Sequence, residues 1–196
     1  MYKLCKTEQS AKRQRQVEQA LLDLMLEKPY QEISITELCE RMQMPRKAFY
    51  RYFDGRDGAL LGLVEHTLSD FQDYATSART TDRSLFSEME QFFVFWKDHR
   101  RLLDGIVKNN LSGVLVDVAM SYPLGTMVNL ARFLPTDPEP MRLPIFRFAM
   151  TGILSYMLEW HRGGFVQSTA EMANGAIRML CHPLFPALSH IGFTAP

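Results

Sequence analysis

The chain has 196 residues, 22 basic and 22 acidic side chains, and a hydrophobic content of 46%. This composition is typical of a chain that folds around a core, and it excludes an intrinsically disordered protein. The longest apolar runs are too short to span a bilayer, so we expect no membrane segment, and the N-terminus lacks the apolar core of a signal peptide. Because the cysteines are few, odd in number and far apart, we expect no disulfide framework and a cytoplasmic location; they are Cys5, Cys39 and Cys181.

The net charge is zero, but the two ends of the chain differ in charge. Residues 1–56 contain 11 Lys and Arg against 8 Asp and Glu, an excess of +3, whereas the remainder contains 11 against 14, or −3. This distribution is that of a nucleic-acid-binding head on a non-binding body. The difference is small, so it supports that interpretation only together with a motif.

Helical patterns fill the chain, which predicts an all-α fold. A first helix is predicted to begin near residues 7–10 and to end by Lys28, because Pro29 disfavours helix in the residue before it. Its core-facing side is an apolar stripe at helical spacing that includes Val17, Leu21 and Leu24.

Two short helices and the start of a long one follow. Ser34 and Glu37 have the spacing of a capping box, which predicts a second helix of about two turns. Pro45 occupies the first position of a third helix, where its missing N–H costs nothing, and this helix is predicted to run to Phe53. The Asp-Gly pair that comes next ends it, and a fourth helix is predicted to begin near Arg56.

The rest of the chain is also predicted to be helical, with one long loop. Four prolines in ten residues make 135–144 a loop. The segment 101–134 is predicted to be one or two helices, interrupted at Gly113 or Pro123. The other helical segments are 84–99, 145–163 and 168–185, with a glycine pair before the last of them.

On a helical wheel, residues 45–53 separate by chemistry into two faces, at about 100° per residue. One arc carries Arg46, Lys47, Tyr50 and Arg51, and the opposite arc carries Pro45, Ala48, Phe49, Tyr52 and Phe53. A short helix, a tight turn and a second helix with a basic outer face form a helix-turn-helix. An ordinary solvated helix face is the alternative that charge alone leaves open.

The helix-turn-helix interpretation gives individual side chains a place on DNA. Arg46 and Lys47, in the first turn of the third helix, are expected to reach base edges in the major groove, and Tyr50 to donate its hydroxyl to a phosphate. Thr36 and Arg56 lie in first turns of helices, where free backbone N–H groups favour an anion.

Residues 33–60 resemble the DNA-binding motif of the TetR family of transcriptional regulators. The similarity is carried by Ser34, the turn at 42–44, the run Phe49-Tyr50-Arg51-Tyr52-Phe53 and Arg56, and it extends over about residues 8–68. It implies a DNA-binding domain at 8–68 and a regulatory and dimerisation domain at 69–196. The DNA-binding positions that it implies are Ser34, Thr36, Pro45, Arg46, Lys47, Ala48, Tyr50, Arg51, Tyr52 and Arg56.

Three positions depart from the family pattern. The family usually has glycine in the turn, where this chain has Gln43, which predicts a strained or altered turn. Pro45 stands where the family usually has Ser or Thr and so lacks a phosphate-contacting hydroxyl. Ala48 likewise replaces a residue that usually carries a hydroxyl group.

The resemblance also implies a homodimer on a palindromic operator. In such regulators the last two long helices, here about 142–163 and 168–184, pair with those of the partner. Their candidate interface residues are Ile153, Met157, Trp160, Met172, Ile177 and Leu180. Packing inside one subunit is the alternative for each of them.

By analogy with the family, the body holds an inducer, and release of DNA by a small apolar or amphipathic effector is expected. The candidate lining residues are Phe92, Phe95, Trp96, Met120, Met127, Phe146 and Met150, because methionine and aromatic side chains suit such pockets. The same residue types also fill cores, and core packing is the favoured alternative for each.

Other kinds of site find no pattern in the sequence. The five histidines and three cysteines show no metal-ligand spacing, so no metal or cofactor is expected. A nucleophile elbow and a phosphate-binding glycine loop are absent from the sequence, which argues against an enzyme. A helical interaction protein, or a regulator whose body binds no inducer, remains the alternative to an effector-controlled repressor.

Overall fold

The computed structural model describes Tyr2 and residues 7–77, 84–122 and 139–181, with only the backbone of 139–142 and 181. The described residues form helices and no strand, which confirms the predicted all-α class. None of these helices combines the length and the apolar character needed to cross a membrane. The elements are α1 (Glu8–Glu27), a 3-10 turn (Tyr30–Glu32), α2 (Ile35–Arg41), α3 (Arg46–Phe49), α4 (Arg56–Ser77), α5 (Leu85–Asp98), α6 (Arg100–Lys108), α7 (Ser112–Ser121), α8 (Glu139–Arg162) and α9 (Thr169–Cys181).

The ends of α1 lie where the sequence predicts them. Thr7 is the N-terminal cap, and its side chain and that of Ser10 each accept a hydrogen bond from the other residue's backbone N–H. At the other end Lys28 leaves the helical region, immediately before Pro29. Ser168 and Glu171 form the same reciprocal arrangement at the start of α9.

The break between α6 and α7 differs from the prediction. Gly113 lies inside α7, and the chain turns instead after Asn109, where Asn110 adopts a left-handed φ of 57°. The N–H of Asn110 donates to Val107 and that of Leu111 to Ile106, which satisfies carbonyls at the end of α6. Asparagine tolerates this conformation better than other non-glycine residues, so the helix ends there. Pro123 lies outside the described residues.

The predicted loop at 135–144 is wrong in its second half, because α8 begins at Glu139. Pro140 stands in the first turn, where backbone N–H groups have no helical partner and proline costs little. Pro144 removes one hydrogen bond further on, and α8 continues past it to Arg162. The proline count therefore overestimates the loop; residues 135–138 lie outside the described part.

The N-terminal helices and the body share a continuous core rather than meeting at a linker. Helix α4 runs unbroken through the predicted boundary at residue 68, and α1 packs against both α4 and α6. The division into 8–68 and 69–196 stays a prediction. For convenience, the segment from α1 to the start of α4 is called the head, and the helices from α5 onward the body.

Asn109 joins the head to the body. It is buried, its Oδ1 accepts from the N–H of Tyr30 at 2.6 Å, and its Nδ2 donates to the carbonyls of Met25 at 3.0 Å and Gly105 at 2.8 Å. One side chain at the end of α6 thus satisfies backbone groups at the end of α1 and in the 3-10 turn. Buried backbone groups need such partners, so the two parts have a fixed relation here.

Candidate nucleic-acid interface

Helix α2 begins as the sequence predicts. The Ser34 side chain accepts from the N–H of Glu37 at 3.1 Å, and Thr36 is exposed in the first turn. The carboxylate of Glu37 pairs with Lys28. On the inner side Leu38 and Cys39 are buried, and burial raises the pKa of the Cys39 thiol. Cys39 is therefore a small core residue rather than a reactive thiol.

The turn between α2 and α3 depends on Gln43. Its φ of 47° lies in the left-handed region, its N–H donates to Glu40 at 3.0 Å, and the N–H of Met44 donates to Cys39 at 2.9 Å. This is the Schellman pattern, in which glycine is the usual left-handed residue. The sequence predicts a strained or altered turn at Gln43, and the structure shows a regular turn geometry that carries the conformational cost of a side chain.

Helix α3 has a basic outer face and an aromatic inner face. Phe49 and Phe53 are fully buried, with ring centroids 5.5 Å apart. The outer residues are all exposed: Pro45, Arg46, Lys47, Tyr50 and Arg51. Ala48 and Tyr52 lie between the faces and are half-buried. The regular helix ends at Phe49 rather than Phe53, and turn-type hydrogen bonds carry the chain onward.

Arg56 is engaged within the protein. Its Nη1 donates to the carbonyls of Tyr30 at 2.8 Å, Gln31 at 3.0 Å and Ile33 at 3.0 Å, and its guanidinium lies 4.2 Å from the centroid of the Tyr30 ring. The side chain of Arg56 therefore closes the 3-10 turn against the start of α4. Its assignment to DNA stays a prediction.

Sequence reasoning missed the partner of Arg56. Tyr30 is buried and donates its hydroxyl to Asp57 at 2.6 Å; burial, followed by this hydrogen bond, raises the pKa of its phenol. Arg56 and Tyr30 are 26 positions apart, and a single three-residue turn has no periodicity. Only a contact between distant segments reveals this arrangement.

The candidate effector residues lie in the core of the body. Five of them are buried in the hydrophobic core, and Met120 is half-buried against it. The five are Phe92, Phe95, Trp96, Phe146 and Met150. Met127 lies outside the described residues. The indole N–H of Trp96 is buried and has no hydrogen-bond acceptor among the described residues. A buried donor without an acceptor costs free energy, so an acceptor placed beside this indole N–H would be favourable.

Most of the candidate dimer residues face inward. Ile153, Met157, Trp160 and Met172 are buried within the subunit, so the structure favours internal packing for these four. Ile177 is half-buried and Leu180 is exposed. The exposed positions of α8 include Phe148, Gly152 and Ser155, at i, i+4 and i+7, and Phe148 is 78% exposed. The others among its described side chains are Leu143, Pro144, Arg147, Thr151, Glu159 and Arg162.

The part of the chain that the structure describes contains no candidate metal site. Its residues include no group of three or more His, Cys, Asp or Glu side chains placed to bind an ion. Where a histidine lies close to a carboxylate, the two form a pair without a third ligand, as for His66 Nδ1 and Glu18 Oε1 at 2.8 Å.

No model of a known protein family matches this sequence, and no curated protein matches it. Solved structures do. The fatty acid degradation regulator FadR of Bacillus halodurans is 13% identical, with a TM-score of 0.60 over 92% of this chain and 98% of that one. A tetR-family transcriptional regulator from Streptomyces coelicolor is 19% identical, with a TM-score of 0.55 over 91% and 83%.

A third structure is FadR of Thermus thermophilus, a TetR-family transcriptional repressor in complex with lauroyl-CoA. It is 14% identical, with a TM-score of 0.54 over 93% of this chain and 98% of that one. This chain has the TetR-family fold. Because the likeness covers head and body together, the TetR-type architecture predicted from residues 33–60 extends over the whole described chain.

We predict that Gln43→Gly stabilises the protein. A side chain in the left-handed region costs about 1–2 kcal/mol, and the extra freedom of glycine in the unfolded chain offsets part of the gain. The expected net effect is about 0.5–1 kcal/mol, or a rise in Tm of about 1–3 °C for a chain of this size, measured by thermal unfolding.

The matched control is Asn110→Gly, because Asn110 has a similar φ of 57° after α6. Asparagine tolerates this region, so the control is expected to raise Tm by less than Gln43→Gly. An equal or larger rise in the control, or a lower Tm for Gln43→Gly, would show that the α2–α3 turn is not strained.

Proposed function

We propose that this protein is a DNA-binding transcriptional regulator whose helix α3 enters the major groove. The observation that supports this most directly is the separation of faces in α3, with Phe49 and Phe53 fully buried beneath exposed Arg46 and Lys47. A helix anchored by its inner rings presents its cations in a fixed orientation, as base readout requires. The TetR-type fold supports the same proposal.

Each outer residue has a role in this proposal. Arg46 and Lys47 reach base edges, with guanine as the preferred partner, while Tyr50 and Arg51 bind phosphates. The exposed first turn of α2, with Ser34 and Thr36, adds backbone N–H groups for a phosphate. Pro45, Ala48 and Tyr52 shape the surface around these contacts. Arg56 acts mainly by fixing the start of α4.

We further propose a homodimer on a palindromic operator. The interface consists of the outward face of α8 and the exposed part of α9, including Leu180, rather than the inward residues that the sequence suggested. Phe148 supplies apolar area there, and Gly152 and Ser155 allow a second helix to approach closely. Phe148, Leu143 and Leu180 are exposed large apolar side chains of α8 and α9, and exposed apolar area of this kind suits a partner. Two-fold symmetry would place two α3 helices on successive half-sites.

A small effector in the body would control DNA binding, with repression as the basal mode. The aromatic cluster around Trp96 supplies an apolar environment, and its indole N–H supplies a donor for one polar atom of the ligand. This combination suits an amphipathic compound with an apolar chain and a carbonyl group. The lauroyl-CoA bound to the Thermus thermophilus repressor is such a compound.

For DNA binding, we predict that Arg46→Ala weakens operator binding about tenfold to a hundredfold for each half-site, since a base contact is worth about 1–3 kcal/mol. The operator is first obtained by mapping bound genomic fragments, and affinity is measured by electrophoretic mobility or anisotropy. Tyr50→Ala is expected to cost less, and equally on all sequences, because a phosphate contact carries no sequence information.

The matched control is Arg162→Ala, at the exposed end of α8 in the body. It removes the same charge and should leave affinity unchanged. Equal losses for Arg46→Ala and Arg162→Ala would show only a general charge effect. If the protein as purified binds no genomic fragment, the alternative of a helical interaction protein replaces the regulator.

For dimerisation, we predict that Phe148→Lys converts the protein to a monomer, because a charge would be buried between two copies of α8. Light scattering coupled to size exclusion measures the mass, and circular dichroism checks that helical content is retained. Val166→Lys is the control, since Val166 is 81% exposed between α8 and α9 and outside the proposed interface. A dimeric Phe148→Lys variant would place the interface elsewhere.

For the effector, we predict that lauroyl-CoA stabilises the protein and lowers its affinity for the operator. Ligand at a hundredfold excess over its Kd raises the free energy of unfolding by about 2.7 kcal/mol. A thermal-shift assay measures this, with CoA lacking the acyl chain as the control. If a panel of acyl-CoA and other apolar compounds produces no shift, a ligand-independent regulator is the correct description.

A further inference from the structure

The N-terminal half of α1 carries a second cationic surface beside the helix-turn-helix. Lys12 is exposed and Arg13 half-exposed, and both line two grooves. One groove lies between α1 and Tyr52, three residues after the end of α3. The other lies between α1 and the α2–α3 turn at Gln43. These two side chains therefore share grooves with residues that lie on either side of α3 in the chain.

Arg13 is fixed in place by neutral groups. Its Nη2 donates to the carbonyl of Met42 at 3.3 Å, and its Nη1 donates to Oε1 of Gln16 at 3.1 Å. Met42 immediately precedes Gln43 in the turn, so the guanidinium is anchored beside the start of α3. Because its partners are uncharged, the positive charge of Arg13 remains available to an anion.

The other cations of α1 and α2 are neutralised within the protein. Arg15 pairs with Asp70 at 2.8 Å, Arg41 pairs with Glu27 at 2.7 Å, and Lys28 pairs with Glu37. Such exposed pairs contribute little stability, but each one cancels the local field of its cation.

Five cations between residues 7 and 57 differ from those. No carboxylate of the described residues lies within 4.0 Å of them, and they fall on two segments, the first half of α1 and residues 46–51. Uncompensated like charges repel one another, and a polyanion removes that repulsion. They are Lys12, Arg13, Arg46, Lys47 and Arg51.

We propose that Lys12 and Arg13 form a second phosphate-binding surface, which binds the DNA backbone beside the groove that α3 enters. This inference rests on the proposed DNA-binding function and extends its footprint from the helix-turn-helix to α1. The contact is with phosphate and carries no base specificity, so it adds affinity and fixes the orientation of the head. Lys12 supplies a mobile ammonium group and Arg13 a guanidinium anchored to the turn.

The test is the salt dependence of DNA binding by the wild-type protein and by the variant Lys12→Gln. The probes are a duplex of about 30 base pairs selected by the protein from a random pool, long enough for two half-sites, and a scrambled duplex of equal length. Loss of one phosphate contact lowers the slope of log K against log salt by about 0.9. Because the proposed homodimer loses one such contact in each subunit, the slope should fall by about 1.8, and the affinity deficit of Lys12→Gln should shrink about 12-fold between 50 and 200 mM salt.

Two controls accompany the variant. Lys97→Gln removes the same charge from the exposed side of α5 and should leave the slope unchanged. Lys12→Arg retains the charge and should keep the wild-type slope. Because Lys12 is exposed, equal melting temperatures for wild type and Lys12→Gln are expected, and they exclude an effect through folding.

The remaining outcomes separate the two proposals. If the wild type binds DNA and Lys12→Gln has the wild-type slope, the α1 surface is overturned while the regulator proposal stands. If Lys12→Gln changes the preference for the selected over the scrambled duplex, Lys12 contacts bases and the phosphate assignment is wrong. If the wild type binds neither duplex, the DNA-binding function fails and this surface fails with it.

Discussion

Burial of Phe49 and Phe53 is the constraint on which the head depends. Each fully buried ring contributes about 1.5–3 kcal/mol, and turning α3 over would instead bury cations, at a cost of several kcal/mol per charge. The burial of the rings and the cost of burying cations both favour the orientation in which the basic side of α3 faces outward. Arg46 and Lys47 consequently face outward for a reason that is independent of DNA, and a basic surface is exposed there whether or not DNA is present.

Hydrogen bonds reach the 3-10 turn from the end of α6, in the body, and from the start of α4, in the head. Asn109 bonds to this turn from the end of α6, and Arg56 bonds to its carbonyls from the start of α4. Tyr30 takes part in both interactions. A displacement of α6 would strain these bonds unless α1 and α4 moved with it, because buried groups cannot exchange their partners for water. The end of α6 is thus joined by hydrogen bonds to the turn that Arg56 closes against the start of α4.

Charge compensation distinguishes the two kinds of cation in the head better than net charge does. Arg15 and Arg41 are basic residues by composition, yet each has its own carboxylate, whereas Lys12 and Lys47 have none among the described residues. Among the described residues up to 57, the cations without a carboxylate within 4.0 Å lie on two segments, the first half of α1 and residues 46–51. A neutral protein can in this way present a local surface suited to a polyanion.

Local chemistry in the sequence determined the ends of α1, the cap of α2, the class of the fold and the two faces of α3. Each depends on residues within one or two turns, such as Ser34 with Glu37 or Pro29 after Lys28. Tertiary structure alone decided the rest. The side chain of Arg56 is held inside the protein because Tyr30 lies beside it. Ile153 and Met157 face inward because other helices cover them. Lys12 and Arg13 differ from Arg15 and Arg41 because carboxylates distant in the sequence pair with the latter two. Periodicity shows that a helix has an apolar face, but only packing shows which neighbour covers that face and which charges remain without a partner.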